Sequence, residues 1–258
     1  MSKGLRRLFL FLIYAFLYAP ILVLIVFSFN EGQTRGAWEG FSLHWYASLM
    51  ENEAILNALK NTVSVAILAT LIGTVVATLG VLGVHYFSRR HRTEMQLINQ
   101  VIVLNPDIVT AIGFMALYGF FQLTPGYGTI LLSRIAFEIP YIVLSIMPRL
   151  QQMPPELAEA AMDLGATPWQ TLRYVILPFL KSGILSGALM GFTMSIDDFV
   201  ITFFNAGNGV ETVSTMVYSM ARRGINPEVN ALSTLMFVAM FILLLAMNWR
   251  TLHGKEDV

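Results

Sequence analysis

The sequence predicts an all-α integral membrane protein with six transmembrane helices. Three observations predict it. Of its 258 residues, 56% are hydrophobic and only 12% charged, where a soluble domain carries about 25% charged residues. Six apolar segments, at roughly 8–29, 61–87, 97–121, 126–148, 182–204 and 229–249, each hold about the 20 residues that a spanning helix needs. The basic residues are also divided unevenly between alternate connections.

The first segment follows Lys3, Arg6 and Arg7, as the apolar core of a signal peptide would. Its apolar run is too long for that, and no small-x-small cleavage site follows, so it is expected to stay as a helix kinked at Pro20. The second carries Ala66, Thr70, Gly73, Ala77 and Gly80 at three- and four-residue steps. Small residues on one face let helix backbones approach closely, which suits packing in a bundle. The third contains Pro106 followed by Asp107, where a kink is expected. The third and fourth are joined by a few residues around Thr124-Pro125 and form a tight hairpin. The fifth contains Asp197 and Asp198. Before the sixth, Asn226 is placed to cap the helix and Pro227 to occupy its first position, where a missing N–H costs nothing.

Lys and Arg set the orientation. Eleven lie at the N-terminus, in the second and fourth connections and in the tail; four lie on the opposite side, and Arg134 lies within the fourth segment. Both termini and the connection 149–181 are therefore expected in the cytoplasm. Residues 1–258 read as a single transmembrane domain. Without cysteine, disulfides, thiolate metal sites and a cysteine nucleophile are excluded. The four histidines are scattered, without metal-ligand spacing, and no cofactor or nucleic-acid partner is indicated.

The connection at about 153–178, "MPPELAEAAMDLGATPWQTLRYVILP", has helix punctuation throughout. Pro154 and Pro155 open a short helix with Glu156 in its first turn. Leu157, Ala160, Ala161 and Leu164 follow helical spacing. Gly165 stands where a left-handed C-terminal residue is expected. Thr167-Pro168-Trp169-Gln170 has capping-box spacing, with Pro in the first position of a second short helix running to Pro178. An amphipathic hairpin resting on the membrane and a docking element for a cytoplasmic partner both fit.

These residues resemble the EAA motif of ABC importer permeases: Glu159, Ala160, Ala161, then Gly165, Val175, Leu177 and Pro178 at fixed spacings, with Val in place of the usual Ile. "YAFLYAPILVLIVFSFN", "NPDIV", "SIDDFVITFF" and "NPEVNAL" extend the resemblance to the C-type permease subunits of bacterial spermidine/putrescine importers. The resemblance implies a type I importer permease fold, with coupling helices between helices 4 and 5 seated on an ATPase dimer. It further implies a second permease subunit, an extracytoplasmic solute-binding protein and a bacterial inner-membrane location. No Gly-x-x-x-x-Gly-Lys-Ser/Thr loop is present, so ATP and Mg belong to the partner ATPase and the chain is not an enzyme.

An ionised side chain at the bilayer centre costs a few kcal/mol or more, so each intramembrane acid needs a reason. Helical spacing puts Asp198 on a small, polar face with Gly187, Gly191, Ser195, Thr202 and Asn205, expected to face a translocation pathway. Asp197, about 100° away, is expected at the margin of that pathway or hydrogen-bonded between helices. Asp107 shares a face with Thr110, Phe114 and Tyr118, so a protonated amine would meet a carboxylate and aromatic rings together. Glu138 has Arg134 four residues earlier, and a local ion pair accounts for it before substrate contact does. Polyamines, with ammonium groups separated by methylenes, suit such spaced acids and apolar walls. Another cationic or amino-acid-derived solute is the alternative substrate. An intramembrane aspartyl protease would also use two aspartates, but its Gly-x-Gly-Asp motif is missing.

Overall fold

The computed structural model describes residues 3–32, 37–85, 87, 89–223 and 227–253. Their regular structure is helical, apart from an isolated antiparallel bridge between Asn30 and Phe41. Two compact units can be distinguished, Met1–Asn57 with Met216–Val258, and Ala58–Thr215.

The first unit contains α1 (Lys3–Phe27), α2 (His44–Glu51) and α12 (Pro227–His253). α1 is apolar around most of its circumference, and its large side chains from Leu8 to Val26 are largely exposed. A helix that is apolar on its outer faces needs lipid or another protein against it. The segment after α1 is held by polar bonds. Trp45 Nε1 donates to Asn30 O at 2.8 Å, and Asn30 itself bonds Ala37 O and the Glu39 N–H. α2 is tied to α12 by a bond of 2.6 Å from Ser48 Oγ to Glu228 Oε1. α12 begins at Pro227, as expected; the cap expected at Asn226 lies outside the described residues.

The second unit is built on α3 (Glu53–His85), α4 (Arg89–Leu104), α5 (Asp107–Phe120) and α6 (Tyr127–Gln151). It continues through α7 (Pro155–Asp163), α8 (Pro168–Thr171), α9 (Leu177–Asp197) and α10 (Val200–Asn205), and includes the start of α11 (Val213–Arg223). The small face of α3 is used for packing: Ala66, Thr70 and Ala77 are buried. α4 and α5 meet at an angle of 99° across Asn105-Pro106, a sharper break than a kink within one helix. Pro106 is extended (φ −57°, ψ 134°), and its carbonyl starts the hydrogen bonding of α5. The turn 121–126 joins α5 to α6 as a short hairpin.

Among the described residues, four helices are long and apolar enough to cross a membrane, or five if the bent pair α4–α5 makes one span. α12 has a shorter apolar stretch, Pro227–Ile242. The fifth segment needs correction on two counts. At its N-terminal end, the helix does not stop before Pro178. α8 runs through a π-helical turn, Leu172–Ile176, directly into α9, where the Leu177 N–H bonds Leu172 O. The wider turn absorbs Pro178, which has no N–H to donate. At its other end, the helix breaks at Asp198 (ψ 129°) and restarts as α10.

α6 and α9 form the main packing contact of the second unit. Gly183, Gly187 and Gly191 of α9 press on α6; a Cβ at Gly187 would lie 2.9 Å from Ile142 Cγ2 and 3.2 Å from Ile142 O. Ile142, Ile146, Leu150 and Leu180 fill the seam. The stripe of Gly187, Gly191 and Ser195 expected to line a pathway is therefore buried against a neighbouring helix.

Candidate functional site

The site is the break between α9 and α10 and the part of α6 that faces it. Arg134, 3% exposed at its side chain, forms a 3.0 Å ion pair from Nη2 to Asp198 Oδ2, 8% exposed. The same guanidinium donates to Thr202 Oγ1 at 2.8 Å, Asp198 O at 3.1 Å and Met194 O at 3.3 Å. Its planar fork suits this work, because a break in a helix leaves carbonyls unpaired and Arg carries five donors.

Asp198 is engaged on its other side as well. Its Oδ1 accepts from the Ile201 N–H, and its Oδ2 from the Thr202 N–H and hydroxyl. Those N–H groups begin α10 and have no helical partner of their own. Aspartate is among the best residues for satisfying them. Ser214 Oγ donates to the Asp198 carbonyl at 2.7 Å.

Two expected sites sit differently on this chain from their helical spacing. Asp198, ranked as facing the pathway, is paired and nearly buried, whereas Asp197 is exposed on this chain. The reason is the break: helical periodicity cannot be carried through a residue with ψ of 129°. Arg134 forms its ion pair with Asp198 rather than with Glu138 on its own helix. Glu138 is completely buried. Thr70 and Ser195 hydroxyls face it, yet neither carboxyl oxygen closes a hydrogen bond of ordinary geometry. Its Oε2 lies close to Gly73 and Gly191, whose missing side chains leave it room.

Asp107 is exposed in the first turn of α5. Its charge interacts with the Tyr141 hydroxyl. Phe114 and Tyr118 stack at 6.3 Å between centroids. Tyr118 is buried, with its hydroxyl 2.8 Å from Ser133 Oγ; Phe114 joins the cluster of Ala111, Phe137 and Ile201. Both rings thus have packing roles on this chain.

The loop 153–178 folds much as its punctuation requires. Gly165 has φ +89°. Its N–H bonds Met162 O, and the Ala166 N–H bonds Ala161 O, the two bonds of a Schellman ending. Thr167 Oγ1 accepts from the Gln170 N–H while Gln170 Oε1 accepts from the Thr167 N–H. Glu159 and Ala160 are exposed, Ala161 and Leu177 half-buried, and Pro178 exposed. Leu164, 90% exposed, projects from the turn, with Met162, Trp169 and Tyr174 also uncovered.

A family model described as "binding-protein-dependent transport system inner membrane component" matches residues 1–250. The chain belongs to this family. It is thus a transport component rather than an enzyme. Over 234 residues it is 35% identical to the spermidine/putrescine transport system permease protein PotC of Haemophilus influenzae, covering 91% of each chain. PotC of Escherichia coli K12 is 34% identical over 245 residues, covering 95% of this chain and 93% of that one. The putrescine transport system permease protein PotI of the same strain is 33% identical, covering 92% and 87%. The chain is homologous to these permeases. Among solved structures, a bacterial ABC transporter for alginate import matches with a TM-score of 0.72 at 18% identity, covering 98% of this chain and 95% of that one. The MetNI methionine ABC transporter in an inward-facing conformation matches with 0.63 at 18% identity, covering 76% and 96%. At that identity the two structures support the fold alone.

The sequence did not reveal the Arg134–Asp198 pair or the parts played by Thr202 and Ser214. One signal was available: an Asp three residues before Ile201 and four before Thr202 is a strong helix-starting residue even inside an apolar run.

Proposed function

We propose that this chain is one of two permease subunits of an importer for polyamines of the putrescine/spermidine class. The observation that carries the substrate class is the identity of about a third with PotC and PotI, over more than nine-tenths of this chain. In this reading α1, α3, the bent pair α4–α5, α6, α9 and α12 are six spans, and both termini are cytoplasmic. The excess of Lys and Arg on one side supports that orientation. An ATPase dimer, a second permease subunit and an extracytoplasmic binding protein complete the complex, with lipid around it.

Substrate ammonium groups meet Asp107 and Asp197, whose carboxylates are exposed on this chain. Asp198 and Glu138 are placed deeper and act through Arg134. Hydrogen bonds to charged groups contribute about 1.5–3 kcal/mol, so Asp107→Asn is expected to slow uptake about ten- to a hundredfold, and Asp197→Asn similarly. The measurement is the initial uptake of labelled putrescine and spermidine by the reconstituted complex, against matched amounts of assembled protein. Normal uptake by both variants would remove these carboxylates from the pathway. Uptake of neither amine by the parent would remove the substrate class.

The hairpin α7–α8 docks on the ATPase, with Leu164 as the apolar contact and Glu159, Ala160 and Ala161 on the adjoining helix. What supports this is the ordered turn together with an apolar side chain left uncovered at its tip. A Cβ at Gly165 would meet nothing within 4 Å, so only its φ of +89° restricts the residue there. A β-branched residue adopts that conformation with strain of about 1–3 kcal/mol. Gly165→Val is therefore expected to insert normally and to co-purify with less ATPase. Undiminished co-purification would contradict the docking role.

A further inference from the structure

One guanidinium lies near two buried carboxyls, and its ion pair is with Asp198. Arg134 is bonded to Asp198 across the α9–α10 break. Glu138, one turn further along α6, interacts electrostatically with the same guanidinium. Residues four apart on a helix are neighbours, about 5–6 Å between Cβ atoms. Both oxygens of Glu138 are sealed from solvent without a hydrogen bond of ordinary geometry, and Arg134 Nε likewise has none. The Thr70 and Ser195 hydroxyls face Glu138, but no cation among the described residues pairs with it here, and a buried carboxyl in this position calls for an explanation.

The break supplies the second arrangement. Asp198 is held by Arg134, Ser214 and the first N–H groups of α10, while its backbone is extended. A shift of α10 relative to α6 would draw Asp198 away and leave Glu138, one turn along α6, as the neighbouring buried carboxyl for the guanidinium. From this we infer that Arg134 is a two-position switch, paired with Asp198 in the conformation described and with Glu138 in the opposite state of the transport cycle. Asp198 and Glu138 are then positioning residues that set the balance between two states. Asp197, exposed beside the break, is free to face solute in either state. The inference rests on membership of the transport family and does not depend on which solute is carried.

Neutralising the two acids should then act in opposite directions, which a merely structural pair would not do. Phe203→Cys in this cysteine-free chain supplies a thiol on α10. Its alkylation rate is measured in the assembled complex, without nucleotide and after trapping with ATP and vanadate. The parent should show two rates. Glu138→Gln should keep the trapped complex at about the resting rate, and Asp198→Asn should bring the resting complex to about the trapped rate. Each shift corresponds to a change of about ten- to a hundredfold in the ratio of states, and the double variant should lie near the parent. If Asp198→Asn fails to assemble, the Glu138→Gln result decides. A parent with one rate in both states, a normal change in Glu138→Gln, or shifts of the same direction would overturn the switch. Failure to take up polyamines with the two rates intact would count against the substrate class alone.

Discussion

Replacing Arg134 by methionine is expected to remove nearly all assembled protein from the membrane. Methionine fills a similar volume but carries no donor. Asp198 would lose its counter-charge while still buried, and the carbonyls of Met194 and Asp198 at the break would lose the N–H groups that reach them. Removing one member of a buried ion pair costs about 3–5 kcal/mol, because the remaining charge is stranded. That is a large fraction of the 5–15 kcal/mol that holds a typical domain together.

Three companion variants separate charge from shape. Arg134→Lys keeps the charge, but a single ammonium cannot span acceptors that the planar fork reaches together, so recovery should be partial. Arg134→Met combined with Asp198→Asn leaves no stranded anion at the break and should recover more protein than Arg134→Met alone. Asp198→Asn by itself should be the mildest. Asn keeps one acceptor oxygen for one of the Ile201 and Thr202 N–H groups, and its uncharged side chain leaves no stranded anion. Abundance of the assembled complex in membranes, with its thermal midpoint, measures all four. Normal abundance of Arg134→Met would mean that the break is held by something other than this pair.

The parts of the structure legible in the sequence are those governed by local chemistry. Gly165, Thr167 and Gln170 act on residues within four positions, and each forms the bond that its type and spacing call for. Pro106 and Pro227 likewise mark a break and a helix start. The partners of the acids are not legible in this way because they are distant in sequence. Arg134 lies 64 residues from Asp198, so the i, i+4 neighbour Glu138 was the partner that spacing offered. An apolar run also hides a helix break when the residues on both sides are apolar; "SIDDFVITFF" reads as one helix until Asp198 is recognised as the start of the next. The glycines read as a small face, and spacing points that face to a pathway as readily as to a helix. Gly187 meets Ile142.

That contact carries the second large effect. Gly187→Leu is expected to prise α9 from α6 and to lower the thermal midpoint and abundance of the complex about as severely as the loss of Arg134. Even a methyl group at this position would stand 2.9 Å from Ile142 Cγ2, 3.2 Å from Ile142 O and 3.3 Å from Ser145 Cβ. The side-chain neighbour can turn aside; the carbonyl belongs to the α6 backbone and moves only with the helix. Overpacking of this kind costs about 1–3 kcal/mol when neighbours can adjust. Here the displaced helices also carry the two ends of the Arg134–Asp198 pair, so separation weakens that bond as well. Between helices in lipid, close packing is itself a main source of association, which leaves little to compensate. Gly83→Leu on α3, where an added Cβ meets nothing within 4 Å, is the control and should stay near the parent. Gly187→Ala should lie between them. It should recover further when combined with Ile142→Ala, because the two changes exchange volume across one contact and cannot be additive. Equal stability of Gly187→Leu and Gly83→Leu would show that the α6–α9 seam does not hold the break in place.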